Sequence, residues 1–205
     1  MFYETKKNNH GLKYNPFKSC IIPRPIAWIT TLGDDGIDNC APYSFFNGVS
    51  SEPPMVMFAN NGPSLKGSGP RDTFSNVRDT HEFVINISTY STKNKMNITS
   101  TRLEKNISEI EFASLETLES NIVKPKRLKH SPISMECILH KIIDLPGTNE
   151  NNYNGIIIGE VIGIHIDDNY IKDGKVDVIK MQPLARLGYF DYSIIENIFS
   201  IKRPS

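Results

Sequence analysis

The sequence predicts a mainly β protein, a barrel or sandwich with short peripheral helices. Three observations carry this. Strand signals dominate the first ninety residues, the strand signal returns in "ISMECILHKIIDL", and the regular crossover helices of a doubly wound sheet are missing. At 205 residues the chain can bury a full core and fits one domain, 1–205, with a polar helical excursion at about 91–121.

Taken in order, "IIPRPIAWITTL" is rich in β-branched and aromatic residues, and "GDDG" supplies residues that tolerate a hairpin loop. The run that follows is interrupted by Asn39, Pro42 and Ser44, a poor strand interior whose small polar side chains suggest that something lies against the sheet. "MVMFA" at 55–59 reads as a strand leaving the Pro53-Pro54 corner, and "NNGPSLKGSGP" as a loop. "RDTFSNVRDTH" predicts a short helix capped by Asp72 or Thr73. "EFVINIS" alternates as a strand does, and residues 91–121 suggest short helices. "IIIGEVIGIHI" has the continuous apolar character of a buried strand, with Gly159 and Gly163 allowing a bulge or close approach. "PLARLGYFDYSIIENIF" predicts a short strand followed by a terminal helix.

Composition excludes several function classes. Lysine plus arginine and aspartate plus glutamate number 23 each, so no global field attracts nucleic acid or an anionic membrane. No apolar run is long enough for a membrane helix, and "MFYETKKNNHG" lacks a signal-peptide core, so the expected compartment is cytoplasmic. Cys20, Cys40 and Cys137 are too scattered for a disulfide framework or zinc site and read as buried reduced thiols; the five histidines show no ligand spacing. There is no G-x-S-x-G, no paired carboxylates beside an apolar pocket and no Walker loop, so no catalytic residue is named and the chemistry falls to a cofactor.

Arg71, Thr73 and Asn76 at the predicted helix start offer a positive charge, two polar side chains and a favourable dipole, which suits an anion; the alternative is ordinary capping with Arg71 solvated. Thr30 and Thr31 fit either a binding role or plain β-propensity, and Trp28 either a cofactor slot or the core. Ser44 and Asn47 flank Phe45-Phe46, a pairing that can hold a cofactor or merely end a strand.

"RPIAWITTLGDDGIDNCAPYSFFNGVSSEPPMVMFA", followed by "RDTFSNVRDTHEFVINI", resembles the flavin reductase-like family, which includes flavoredoxins and the reductase components of two-component monooxygenases. "MNITS", "SPISMECIL", "IIIGEVIGIHIDD" and "PLARLG" fall in the family's order. The resemblance implies an FMN-binding split β-barrel (Greek-key type) with short peripheral helices, a homodimer binding FMN near its interface, and NADH or NADPH as co-substrate. It implies that Trp28, Ile29, Thr30 and Thr31, with Tyr43, Ser44, Phe45, Phe46 and Asn47, line the flavin. Arg71, Thr73 and Asn76 match the family's Lys/Arg-Asp-Thr-x-x-Asn phosphate pattern, with Asp72 as the cap. The implied function is an FMN-dependent NAD(P)H oxidoreductase serving a small acceptor, a flavin-dependent monooxygenase or a redox partner protein. The alternatives are a flavoredoxin-type electron carrier and a non-catalytic FMN-binding protein. Two positions depart from the family pattern: Tyr153-Asn154 precede the "IIIGEV" strand, and Tyr189 replaces a second glycine after "RLG", where its ring is expected to narrow the nicotinamide-side pocket.

Overall fold

Residues 24–60 form a short strand and two antiparallel hairpins in the computed structural model, which describes residues 1–62, 70–104, 106–148 and 152–204. The elements are β1 (Arg24–Pro25), β2 (Ala27–Leu32), β3 (Asp38–Tyr43), β4 (Phe46–Ser51) and β5 (Pro54–Asn60). The β2–β3 turn closes where the Gly33 amide donates to Ile37 O (3.0 Å), with Gly36 at φ +79°. After β5, the loop expected at 60–70 lies largely outside the described residues. Helix α1 (Asp72–Thr80) ends at His81, whose left-handed backbone returns its N–H to Val77 O and turns the chain into β6 (Glu82–Ile87).

The polar excursion holds α2 (Lys93–Ile98), α3 (Glu109–Phe112) and β7 (Thr117–Leu118), which pairs with β8 (Arg127–Leu128) just beyond it. A long hairpin follows, β9 (Ile133–Asp144) with β10 (Gly155–Ile166), and its register shifts fall at Ile158/Gly159 and Val161/Gly163. Gly159 is required by packing, because a Cβ there would lie 2.4 Å from Cζ of the Phe83 ring. The chain ends through β11 (Ile171–Lys172), β12 (Lys175–Val176), α4 (Val178–Met181), β13 (Ala185–Arg186) and β14 (Tyr192–Ser193).

Seven strands make one antiparallel sheet in the order β3-β2-β6-β9-β10-β5-β4. Its edges β3 and β4 are separated in sequence by Ser44 and Phe45 alone, so the sheet must curl until its edges approach. The Ala59 N–H···O Phe45 bond (2.9 Å) lies at this seam, but no ladder closes it. The fold is therefore mainly β with few helices, built on a large curled sheet that is not closed. Edge position also explains why β3 tolerates Pro42, which would break a ladder in the sheet centre.

Alternation along β2 divides the core in two. Ala27 and Ile29 join Tyr43, Phe46, Phe58, Phe74 and Phe83 on the inner face, while Trp28 joins Cys40, Met96, Ile110, Leu128 and Leu184 on the outer face, beneath the excursion.

Three expectations need correction. No helix follows β14, since Ile195, Ile198 and Phe199 are exposed and find no packing surface. Cys20 is exposed, although Cys40 and Cys137 are buried. The cap of α1 is Arg71, without a side-chain cap bond; Asp72 is the first helical residue, and the Thr73 hydroxyl is directed elsewhere.

Candidate functional site

The N-terminal end of α1 meets the inner face of β2 and β3 through a buried polar network. Thr31 and Asn39 are cross-strand partners, so their side chains share that face. Asn39 Oδ1 accepts from Thr73 Oγ1 (2.7 Å) and Thr31 Oγ1 (3.4 Å), and Asn76 Nδ2 donates to Thr31 Oγ1 (3.0 Å). From the excursion, Glu109 Oε2 accepts from Asn39 Nδ2 (2.7 Å) and from the Cys40 N–H (3.1 Å). Burial pushes the Glu109 carboxyl above the ordinary carboxylate range, against the pull of these hydrogen bonds.

Tyr43 and Arg71 stand beside this network with polar atoms unspent. Among the described residues Arg71 Nε is buried without a hydrogen-bond partner, and the buried Tyr43 hydroxyl makes no hydrogen bond of good geometry although it lies beside the Thr73 hydroxyl. Burial raises the Tyr43 phenol, while Thr73 and the positive charge of Arg71 pull it down. The first bond of the helix runs from Ser75 N to Arg71 O (3.1 Å), so the amides of 72–74 have no acceptor within the helix. A guanidinium and a phenol thus stand at the N-terminal end of a helix, the kind of donor set an anion requires.

The expected site residues thus separate into groups. Thr31, Thr73 and Asn76 are joined through Asn39, with Tyr43 and Arg71 adjacent. Ile29 and Phe46 lie in the inner core. Ser44 and Phe45 gather around buried Arg24, whose Nε donates to Ser44 Oγ (3.4 Å) and whose guanidinium carbon lies 5.8 Å from the Phe45 ring centroid. Trp28 and Thr30 point to the opposite face: the indole N–H donates to Thr99 Oγ1 (2.9 Å) and Thr30 Oγ1 to Lys126 O (2.6 Å). Asn47 is exposed, its Oδ1 accepting from the Gly48 amide (2.9 Å). Tyr189 turns its ring onto Tyr14 (5.6 Å between centroids), and Tyr153 packs on Phe74 of α1 (4.4 Å).

Sequence reasoning missed Asn39, Glu109 and Arg24 as site members. Asn39 was signalled by its awkward place in a strand. Glu109 carried no signal, because its partners lie about seventy residues away in the chain.

The model of the flavin reductase like domain matches residues 19–191. A protein of Aquifex aeolicus (strain VF5) is 33% identical over 189 residues, covering 92% of both chains. Among solved structures, nitrilotriacetate monooxygenase component B from Bacillus cereus aligns with a TM-score of 0.88 at 30% identity, covering 98% of each chain. The 2-nitrobenzoate 2-nitroreductase NbaA of Pseudomonas fluorescens aligns with a TM-score of 0.84 at 27% identity, covering 100% of this chain and 96% of that one. With the match spanning the whole curled sheet and α1, this chain belongs to the flavin reductase-like family.

Proposed function

We propose that the protein is an FMN-dependent NAD(P)H oxidoreductase that passes electrons to a small acceptor or a partner protein. The observation that carries this is the buried Arg71 Nε, without a partner among the described residues, beside the buried Tyr43 phenol at the N-terminal end of α1. In this reading Arg71 and the first amides of α1 hold the terminal phosphate. Thr73 and Asn76 are kept in place by Thr31 and Asn39, and so present a rigid rather than adaptable surface. The backbone of 28–31 and of 43–47 lines the flavin, with Ser44 and Phe45 positioned by Arg24. The bound flavin would accept hydride at its own ring, so these residues need only bind, orient and exclude water. The trapped, hydrogen-bonded Glu109 keeps Asn39 oriented from behind.

The related structures support an oxidoreductase, and the nitrilotriacetate monooxygenase component favours a monooxygenase as partner. The exposed Ile198, Phe199 and Ile201 near the C-terminus support a homodimer, since a monomer seldom leaves such apolar surface uncovered.

Releasing the flavin from purified protein and identifying it by chromatography tests the cofactor: FMN is expected, and mostly FAD contradicts the phosphate assignment. Mixing the protein with NADH or NADPH without oxygen tests the reaction. Rapid bleaching of the flavin absorbance is expected; a lasting yellow colour would point to an electron carrier of flavoredoxin type or a non-catalytic binder. Sedimentation at micromolar concentration should give about twice the chain mass.

A further inference from the structure

A cavity of about 430 Å³ opens between α2 and the β13–β14 pair, away from the α1 network. Its floor is apolar, from Met96 and Leu184, and its walls carry the rings of Tyr90, Phe190 and Tyr192 with the cations Lys93 and Arg186. The ammonium of Lys93 lies 3.5 Å from the Tyr90 ring centroid, and the Arg186 guanidinium carbon 4.3 Å from that of Tyr192. No carboxylate lines the cavity, and among the described residues neither cation makes an ion pair. Arg186 is also the cross-strand partner of buried Arg24, whose guanidinium is satisfied by Lys18 O, Ile21 O and Ser44 Oγ. Positive charge thus accumulates at this edge while only Lys93 and Arg186 face the open space. All three rings are exposed, Phe190 most of all at 91%.

An apolar floor, flat aromatic walls and two cations without counter-ions define a ligand with a flat apolar body and a negative end. The volume lies within the range of small-molecule sites and admits a single-ring compound. We propose that this cavity binds a small aromatic carboxylate, its ring against Phe190 and Tyr192 and its carboxylate between Lys93 and Arg186. Through Arg24 the cavity adjoins Ser44 and Phe45. Its assignment as the acceptor site rests on the flavin reading, whereas the binding itself does not.

Calorimetric titration of the purified protein, with whatever flavin it carries, uses benzoate, the neutral benzamide and 5′-AMP as probes. Benzoate should bind with one site per chain, and Lys93→Gln and Arg186→Gln should each weaken it by about tenfold or more, the loss expected for a charge-assisted contact. Benzamide should bind more weakly and respond to neither substitution. Phe190→Ala, which removes an exposed ring and so leaves folding intact, should weaken benzoate severalfold. No benzoate binding, affinities of the three variants equal to that of the unsubstituted protein, or 5′-AMP displacing benzoate at lower concentration would each overturn the proposal, the last by marking a nucleotide site. Flavin content measured on the same samples separates the two readings: flavin-free protein that binds benzoate removes the cofactor and keeps the cavity, and flavin-bearing protein indifferent to benzoate does the reverse.

Discussion

The two faces of β2 each carry a buried polar network, and they differ in completeness. On the outer face Asn86 spends every polar atom. Its Nδ2 donates to Trp28 O (3.0 Å) and Thr30 Oγ1 (3.3 Å), and its Oδ1 accepts from the Leu128 N–H and Ser134 Oγ (both 2.9 Å). Glu136, on the same face of the sheet, accepts from the amides of Asn121, Ile122 and Val123 (2.8, 2.6 and 2.9 Å) and pairs with His165. On the inner face, Thr31, Asn39, Thr73 and Asn76 are bonded to one another, yet beside them, among the described residues, Arg71 Nε has no partner and the Tyr43 hydroxyl no hydrogen bond of good geometry. A saturated network ties the excursion to the sheet and contributes stability. An unsaturated one costs stability, about 1–3 kcal/mol for each buried polar group left without a partner, and is best explained by a ligand that completes it.

The comparison is broken most severely at Asn86. Asn86→Ala would strand the Leu128 amide and the Ser134 hydroxyl in a dry interior and should destabilise the protein by about 3 kcal/mol in urea unfolding, with flavin affinity in the folded protein unchanged. A cost below about 1 kcal/mol would mean that the outer network is not the structural one.

Glu136 makes a pH-dependent contribution of similar size. Burial alone would raise its carboxyl, but His165 and the three amides outweigh that and bring it from 4.5 down to about 2. The folded value lies below the unfolded one. The stabilisation is therefore complete above about pH 4.5 and is lost as pH falls through about 2, amounting to about 3 kcal/mol. Glu136→Gln should flatten the stability profile between those limits, and an unchanged acid limb would contradict the assignment.

Tyr43→Phe sharpens the contrast, because it should act with opposite signs on the two states. Removing a buried hydroxyl that makes no hydrogen bond of good geometry should leave flavin-free protein as stable as before or more so by about 1 kcal/mol, while weakening FMN binding by roughly fivefold. Loss of stability in the flavin-free protein would show that the hydroxyl already has a partner. The smallest effect lies outside both networks. Tyr189 holds φ +51°, where glycine meets no Cβ penalty, so Tyr189→Gly should raise stability by up to about 1 kcal/mol in thermal unfolding. The preceding Gly188 cannot be replaced in the same way, since a Cβ there would sit 1.8 Å from Ser19 Oγ and 3.1 Å from Ser19 Cα.

Local chemistry was legible in the sequence, and long-range chemistry was not. The "GDDG" hairpin and the bulges at Gly159 and Gly163 stand where expected, because turn and glycine requirements are local. The terminal helix failed for a tertiary reason: "SIIENIF" has helical spacing, but a short helix needs a surface to pack on, and only Ile194 reaches the outer core. Thr73 looked like a cap because capping is the local use of a threonine at a helix start. Its hydroxyl instead crosses to Asn39, which follows from β3 lying against α1. Motif matching grouped Trp28 and Thr30 with Thr31, yet the two-residue period of a strand sends them to the other face, so only their backbone can share the proposed site.

The central claim is that the open end of α1 is completed by the FMN phosphate, and fluorescence titration of FMN into flavin-free wild-type and Arg71→Ala protein tests it most directly. The substitution should remove a charge-assisted contact of about 2 kcal/mol and raise the dissociation constant roughly thirtyfold, with little change in the stability of the flavin-free protein. Equal dissociation constants would remove Arg71 from the site and leave its buried Nε without a ligand to explain it.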